Sequence, residues 1–171
     1  MNFKELSGYS IDKNTACIQV SGEDSQKFLQ GQFSNDITEV TDSVYQYSSY
    51  STNQGKVIAI FRILKNNQGY LLLINKDVAK YFIERLSMYI LMSKVNIEEQ
   101  KDCMIYGILG KSAENILLEN TLKANEYIKN SENIILSNEN KYVPAATIIK
   151  IKSSNSQSDE LLKSEINVDY N

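Results

Sequence analysis

The stretch that decides the fold is VYQYSSYSTNQGKVIAIFRILKNNQGYLLLIN, residues 44–75. It contains three runs with strand character, at 44–52, 57–64 and 70–75, which are separated by the turn signals NQGK and NNQG. Apolar and aromatic runs bounded by Asn and Gly are typical of successive β-hairpins, so we predict an antiparallel meander. The middle run, VIAIFRIL, is apolar on both faces, and we therefore expect it at the centre of a sheet covered by helices.

Elements on both sides of the meander complete an α+β pattern. TACIQV (15–20) reads as a strand. Ser21 as an N-cap and Asp24 three residues later resemble a capping box, which predicts a first helix that ends near Phe33. Apolar residues spaced mostly by four after Asp77 predict a second helix. This order indicates an α+β fold, with a mostly antiparallel sheet and packed helices. The later elements are predicted at 93–99, 103–110, 112–120, 133–137 and 142–151.

A change in composition divides the chain near residue 152. Residues 1–152 hold the predicted strands and the three helices, either as one region or as two intertwined subdomains. Residues 153–171 begin with the polar run SSNSQSDELLKSE. We interpret this second segment as a polar linker and the start of a C-terminal part.

The composition excludes several classes of function. The formal net charge is −3, and the 18 Lys and Arg residues are spread along the chain, which argues against direct nucleic-acid binding. No apolar run approaches the ~20 residues needed to cross a bilayer, and the N-terminus lacks the apolar core of a secretion signal. We therefore expect a cytoplasmic location without a membrane partner. Histidine is absent, which excludes His-based catalytic triads and His-ligated zinc.

The two cysteines, Cys17 and Cys103, lie among apolar neighbours. Neither has a Cys or His at metal-ligand spacing, so we interpret both as small buried apolar residues. No general base, activated nucleophile or metal site is visible in the sequence. The sequence therefore predicts no independent catalysis.

Polar side chains cluster in FLQGQFSND, residues 28–36. In a purely structural interpretation, the glycine ends the helix and Asn35 and Asp36 form the turn beyond it. That interpretation does not explain why Gln30 and Gln32 flank the glycine. Amide side chains beside backbone that the glycine leaves free suit a ligand with both hydrogen-bond donors and acceptors.

Two charged residues of the meander are further candidates. Lys56 lies in the first turn, where it is either a solvated lysine or the partner of an anionic ligand. Arg62 stands alone in an apolar strand, where an unpaired charge is costly, so it needs a salt bridge, a sheet edge or a ligand. In an ideal strand Tyr45 and Tyr47 share one face and Tyr50 lies on the other. Because no basic residues alternate with these tyrosines, a half-buried sheet face explains them better than a base-stacking surface.

Four stretches, in order along the chain, resemble one family. Together they resemble the N-terminal half of the YgfZ-type folate-binding proteins, which are relatives of the glycine-cleavage T-protein. The FLQGQ-x-x-ND core and the SKV after the second helix are the specific parts. The stretches are SGEDSQKFLQGQFSNDI (21–37), NQGKVIAIFRIL (53–64), YLLLINKDVAKYFIERLSMYILMSKVNIEE (70–99) and YGILG (106–110).

The resemblance implies a function, a ligand and partners. The function is support of iron–sulfur cluster assembly or repair and, through cluster-dependent enzymes, of tRNA modification. The ligand is tetrahydrofolate, and the partners are iron–sulfur assembly or client proteins. Amide groups suit its pterin ring, and Lys56 would face its glutamate tail. The candidate folate-binding residues are Gln30, Gln32, Asn35, Asp36, Lys56 and Arg62.

The sequence departs from this family in two places. T-protein-like aminomethyltransferases carry an acidic pair on the strand after the glycine turn, whereas this chain has VIAIF around Ala59 and Ile60. Because an aliphatic side chain cannot replace a carboxylate there, aminomethyl transfer is disfavoured. The family's later K-G-C-Y-x-G-Q-E signature does not occur, so we expect a shortened product. The alternative function is a folate-independent docking module, which gains support if Gln32 and Arg62 do not share a cavity.

Overall fold

The structure is a computed structural model that describes residues 7–130, 133–138 and 143–151. The proposed linker at 153–171 lies outside the described residues. The α-helices in these described ranges are α1 (Ser25–Gln30), α2 (Lys76–Ser87) and α3 (Lys111–Glu119). The strands in the same ranges are β1 (Ser7–Asp12), β2 (Thr15–Ser21), β3 (Gln46–Ser51), β4 (Val57–Asn66), β5 (Gly69–Asn75), β6 (Asn96–Glu99), β7 (Cys103–Gly110), β8 (Tyr127–Lys129), β9 (Asn133–Asn138) and β10 (Ala145–Ile151).

The chain divides into two compact units, each with one five-stranded sheet. The central unit is Lys13–Lys101, and its strands follow the order β3-β4-β5-β2-β6. The flanking unit joins Met1–Asp12 to Asp102–Asn171, and its strands follow the order β1-β7-β10-β9-β8. Every pairing between these strands is antiparallel. The predicted α+β class with mostly antiparallel sheet is therefore confirmed, and so is the meander β3-β4-β5.

The core of the central unit lies on one face of its sheet, under α1 and α2. Phe82 of α2 is fully buried and packs edge-on against Tyr50 and Phe61, with ring centroids 5.6 and 5.5 Å apart. Phe33, which follows α1, lies 4.6 Å from Phe61, centroid to centroid. Both helices contribute to this one cluster, and β4 lies between β3 and β5, as expected for a non-edge strand covered by helices.

The helix ends differ from the predicted ones because the capping groups come from other residues. The first helix begins at Ser25 rather than after Ser21, and the Asp24 side chain accepts from the Lys94 N–H instead of capping the helix. Asn75, not Asp77, caps α2, because the Asn75 Oδ1 accepts from the Asp77 N–H at 2.8 Å. This helix ends at Ser87, so Ile90 and Leu91, which continue the apolar spacing after Asp77, lie beyond it.

The flanking unit packs α3 on one face of its sheet. The small cluster beneath this helix is built from Tyr106, Ile108, Ala113, Ala146 and Ile148. A cavity of about 320 Å³ lies in this unit and is lined by Gly8, Tyr9, Ser10, Gly107, Ile108, Leu109, Asn138 and Ala146. None of the predicted site residues lines this cavity.

Burial separates the two cysteines that the sequence treats alike. Cys17 is buried in β2, with 2% of its surface exposed, but it is disulfide-bonded, as is Cys103, so the interpretation of both as simple small apolar residues is wrong. Cys103, at the start of β7, is only half-buried, so the expectation of full burial is wrong for this residue. Among the described residues, no group of three or more His, Cys, Asp or Glu side chains is arranged to hold a metal ion.

Candidate functional site

The candidate site lies on the face of the central sheet that points away from α2. Phe61 points into the core, so alternation along β4 turns Ile60 and Arg62 to the opposite face. In the register of the hairpin, Tyr47 lies opposite Arg62, and Ser49 lies opposite Ile60. We call this group of four residues, Tyr47, Ser49, Ile60 and Arg62, the Arg62 face.

The Arg62 face presents an aromatic ring, an aliphatic side chain and a positive charge. Tyr47 is 50% exposed and Ile60 is 67% exposed, which is high for side chains in adjacent sheet strands. Arg62 is half-buried and already interacts with another residue of the chain. Tyr45 is buried, and its ring lies 6.1 Å from that of Tyr47, centroid to centroid. This contact supports the exposed Tyr47 ring from one side.

The polar segment after α1 runs along the outer edge of β3. Phe33 forms an antiparallel bridge with Tyr50, and the Ser34 N–H donates to the Ser49 carbonyl at 3.0 Å. The Gln46 side chain then donates to the Asp36 carbonyl at 2.8 Å. Because neighbouring strands lie about 4.8 Å apart, residues 34–36 are about two strand spacings from the backbone of β4.

Several candidate side chains in this segment are held by local hydrogen bonds. The Gln30 Oε1 accepts from the Ile37 N–H at 2.8 Å, which closes the loop between them. The Asn35 Oδ1 accepts from the Ser34 hydroxyl at 2.6 Å. The Asp36 Oδ1 accepts from the Thr38 hydroxyl and from the Thr38 N–H, at 2.7 and 2.9 Å. These contacts favour the structural interpretation for Gln30 and Asp36.

The hydrogen bonds to Asp36 also affect its titration. The Thr38 hydroxyl and then the Thr38 N–H stabilise the carboxylate form, which lowers the pKa of Asp36 below its ordinary value. Asp36 is therefore an anion at neutral pH. An anion at the start of the short 3-10 helix Ile37–Glu39 complements the free N–H groups there.

The structure brings together only some of the predicted site residues. Residues 34–36 flank the strand that pairs with Arg62, so Asn35 and Asp36 lie in its neighbourhood. Lys56 is exposed in the β3–β4 turn, six residues before Arg62, which corresponds to about 20 Å along an extended strand. Gln32 is half-buried in the turn after α1, where its N–H donates to the Leu29 carbonyl. Lys56 is thus separated from the Arg62 face.

Tyr47 and Ser49 were not among the predicted ligand-binding residues, although the sequence contained the signal that places them. The NQG turn sets the register of the hairpin, and alternation then puts Tyr47 and Ser49 on the same face as Arg62. The prediction that Tyr50 lies on the face opposite Tyr47 is confirmed, because Tyr50 belongs to the core cluster under α2.

Comparison with known proteins gives two kinds of match. No family model matches the chain. A tRNA-modifying protein YgfZ of Buchnera aphidicola subsp. Schizaphis graminum is 32% identical over 134 residues, which are 78% of this chain and 41% of that protein. The YgfZ protein of Buchnera aphidicola subsp. Baizongia pistaciae is 31% identical over 119 residues, which are 70% of this chain and 37% of that protein. The chain thus spans about two fifths of the length of these curated relatives.

A solved structure extends the fold comparison to almost the whole chain. The glycine cleavage system aminomethyltransferase T of Bartonella henselae superposes with a TM-score of 0.78 at 12% identity. The match covers 98% of this chain and 47% of that protein. It shows that the chain has the fold of this part of the aminomethyltransferase. Among the described residues, no helix is long and apolar enough to cross a membrane.

Proposed function

Because the chain is related to the YgfZ-type proteins over part of their length, we propose that it is a tetrahydrofolate-binding module. Its role would be to support iron–sulfur cluster assembly or repair and, through cluster-dependent enzymes, tRNA modification in the cytoplasm. The observation that carries this proposal is the similarity to tRNA-modifying YgfZ proteins over 70% and 78% of the chain. Residues 1–152 are proposed to form the folate-binding region.

The Arg62 face offers the contacts that a folate needs. The exposed Tyr47 ring is a flat surface on which a planar pterin or benzoyl ring can stack. The Arg62 guanidinium can bind a carboxylate of the glutamate tail through paired hydrogen bonds. The Ser49 hydroxyl and the Asn35 amide are the nearby donors and acceptors for the pterin edge, whereas Gln32 lies in the turn after α1. Gln30, Asp36 and Lys56 would contribute less, because two are held by the loop and one lies at the far turn.

Aminomethyl transfer is not part of the proposal. Ile60 occupies the position on the Arg62 face where a carboxylate would reach a bound ligand, and Ala59 is buried in the core, with 5% exposed. An aliphatic side chain can neither accept a proton nor orient an amine. Nor would these residues hold an iron–sulfur cluster alone, because such clusters generally take four protein ligands and the sequence has two cysteines. The proposed role is therefore binding, in support of partner proteins.

Thermal unfolding with and without tetrahydrofolate tests the proposal. A ligand at about 100 times its Kd stabilises a protein by about 2.7 kcal/mol, which corresponds to a rise in Tm of roughly 5–10 °C for a chain of this size. We expect this rise for the wild type and its loss in Arg62→Gln. Lys56→Gln is the matched control, since it removes one positive charge outside the Arg62 face. No rise in the wild type, or an equal rise in Arg62→Gln, would contradict the proposal.

The alternative is a docking module that needs no folate. The exposed Tyr47 and Ile60 favour it, because aromatic and aliphatic side chains beside an arginine are common at protein interfaces. The cavity of the flanking unit contains neither Gln32 nor Arg62, which is also compatible with docking. Binding of an iron–sulfur assembly protein that is unchanged by removal of folate and abolished by Ile60→Asp would favour docking over ligand binding.

A further inference from the structure

A second polar cluster surrounds Arg85 of α2, on the face of the central sheet opposite the Arg62 face. Tyr81, Arg85 and Tyr89 are spaced by four residues, so they line one side of the helix and its continuation. Tyr50 reaches them from β3, and its hydroxyl lies close enough to the Arg85 side chain for the two groups to interact. The Tyr50 ring is fixed by its edge-on contact with Phe82, with the centroids 5.6 Å apart.

Arg85 has no compensating negative charge within the described part of the chain. Across residues 7–130, 133–138 and 143–151, no carboxylate forms an ion pair with it. Its side chain is half-buried, and its Nε is enclosed without a hydrogen-bond acceptor. A guanidinium carries five N–H donors, which is more than one neighbouring hydroxyl can engage. Within the described residues, Arg85 is therefore a half-buried cation without a carboxylate in an ion pair.

The tyrosines supply hydroxyl groups around this cation. Tyr50 is 3% exposed, and burial raises its pKa, so the hydroxyl keeps its proton at neutral pH. Tyr81 and Tyr89 are 51% and 46% exposed, and both lie close enough to Tyr50 to affect its titration. Met88 beside them is 62% exposed and adds apolar surface. The cluster thus combines a positive charge, hydroxyl donors and an apolar border.

We propose that Arg85, together with the hydroxyl groups of Tyr50, Tyr81 and Tyr89, binds the oxyanion of a small molecule that also carries an apolar or aromatic group. A carboxylate and a phosphate share the chemistry that this cluster recognises, since both accept paired hydrogen bonds from a guanidinium. The exposed tyrosine rings would contact the apolar part of the ligand. The site is separate from the Arg62 face, so it does not depend on the proposed folate binding.

Nuclear magnetic resonance of the whole chain tests this site directly. The probes are inorganic phosphate and acetate, followed by phenyl phosphate and benzoate, and the readout is the Arg85 Nε–H signal with the amides of residues 81–89. We expect saturable shifts, with the aromatic probes binding more tightly than the bare ions. If the phosphate probes saturate the shifts at a lower concentration than the carboxylate probes, phosphate is the preferred group, and the reverse order identifies carboxylate.

Variants in α2 distinguish a specific anion-binding site at Arg85 from non-specific electrostatic attraction of anions to the helix. Arg85→Lys keeps the charge but loses the planar fork, and we expect affinity to fall about tenfold or more. Tyr81→Phe removes one exposed hydroxyl without affecting folding, and we expect a fall of about three- to tenfold. Lys80→Gln is the control, because Lys80 is exposed and pairs only weakly with Glu84, at 3.9 Å. Its affinity should stay within about twofold of the wild type, as expected for a solvated lysine.

The result that would overturn the proposal is specific. It falls if no probe gives a saturable shift, if Arg85→Lys and Tyr81→Phe bind like the wild type, or if Lys80→Gln weakens binding as much as Arg85→Lys. Each variant is compared at equal fractions folded, as measured by its thermal unfolding. Saturable binding of a phosphate or a carboxylate probe that is weakened both by Arg85→Lys and by Tyr81→Phe would support the proposed oxyanion site.

Discussion

The two faces of the central sheet differ although they are made by alternate residues of the same strands. Phe61 and Arg62 are neighbours in β4, yet Phe61 is 2% exposed and contacts two other aromatic rings, whereas Arg62 lies half-buried beside the exposed Tyr47. The first face is a close-packed core, whereas the second holds polar, charged and exposed apolar groups. We conclude that stability is concentrated on the first face, so that substitutions on the second can alter binding while the fold persists.

The largest effect is expected from Phe82→Ala, which removes an aromatic ring from the core between the central sheet and α2. Phe82 is fully buried and contacts the rings of Phe33, Tyr50 and Phe61, so its loss leaves a large cavity. We expect the free energy of unfolding to fall by about 3–5 kcal/mol, measured by urea denaturation. A loss below about 1 kcal/mol would mean that this face does not carry the core.

A second prediction compares the two NQG turns at the ends of β4. Gly55 and Gly69 both have positive φ, but a Cβ on Gly55 would meet open space, whereas one on Gly69 would lie 2.4 Å from the Val20 carbonyl oxygen. We expect Gly69→Ala to cost about 2–4 kcal/mol and Gly55→Ala about 1 kcal/mol. Equal costs, measured by the same denaturation, would show that backbone strain alone matters and that the contact with β2 does not.

On the opposite face, Tyr47→Ala should hardly affect stability. Tyr47 is half exposed, so the free energy of unfolding should change by no more than about 1 kcal/mol. The same variant should lose most of the tetrahydrofolate-dependent rise in Tm, because the stacking surface is gone. A large destabilisation with unchanged ligand response would reverse the assignment of the two faces.

The smallest effect concerns Asp36 and is seen only as a dependence on pH. Its pKa is lowered in the folded state, so its contribution to stability is present above the unfolded pKa of about 3.9 and is lost as pH falls through the folded value. Compared with Asp36→Asn, the wild type should have a slightly higher Tm at pH 7, and the difference should vanish in acid. A Tm difference between the two proteins that grows below pH 4 would contradict the predicted direction of this pH dependence.

Local patterns predicted most of the fold but could not predict which strands form one sheet. The hairpins around NQGK and NNQG were visible because alternation and turn residues act over a few positions. The edge strand β1, SGYSID, was missed because it is mostly polar and exposed, and β8 because it has three residues. The division into two sheets depends on pairings such as β1 with β7, about a hundred residues apart, which no local pattern encodes.

The site was predicted less completely, for a different physical reason. Arg62 stood out because a charge in an apolar strand is costly, and hairpin register would have added Tyr47. The partner of Gln30 could not be read from the sequence, because it is the Ile37 N–H across a loop whose path depends on the β3 edge. Arg85 went unnoticed because helix spacing shows which residues share a side but not which charges lack a partner.

Mapping where tetrahydrofolate binds tests the central claim most directly. We would titrate the isotope-labelled chain with tetrahydrofolate and follow the backbone amide signals. The account predicts saturable shifts centred on residues 47, 49, 60 and 62 and extending to 34–36, with these shifts lost in Arg62→Gln and retained in Lys56→Gln. Saturating shifts centred on residues 81–89 instead, or no saturable shifts at all, would contradict it.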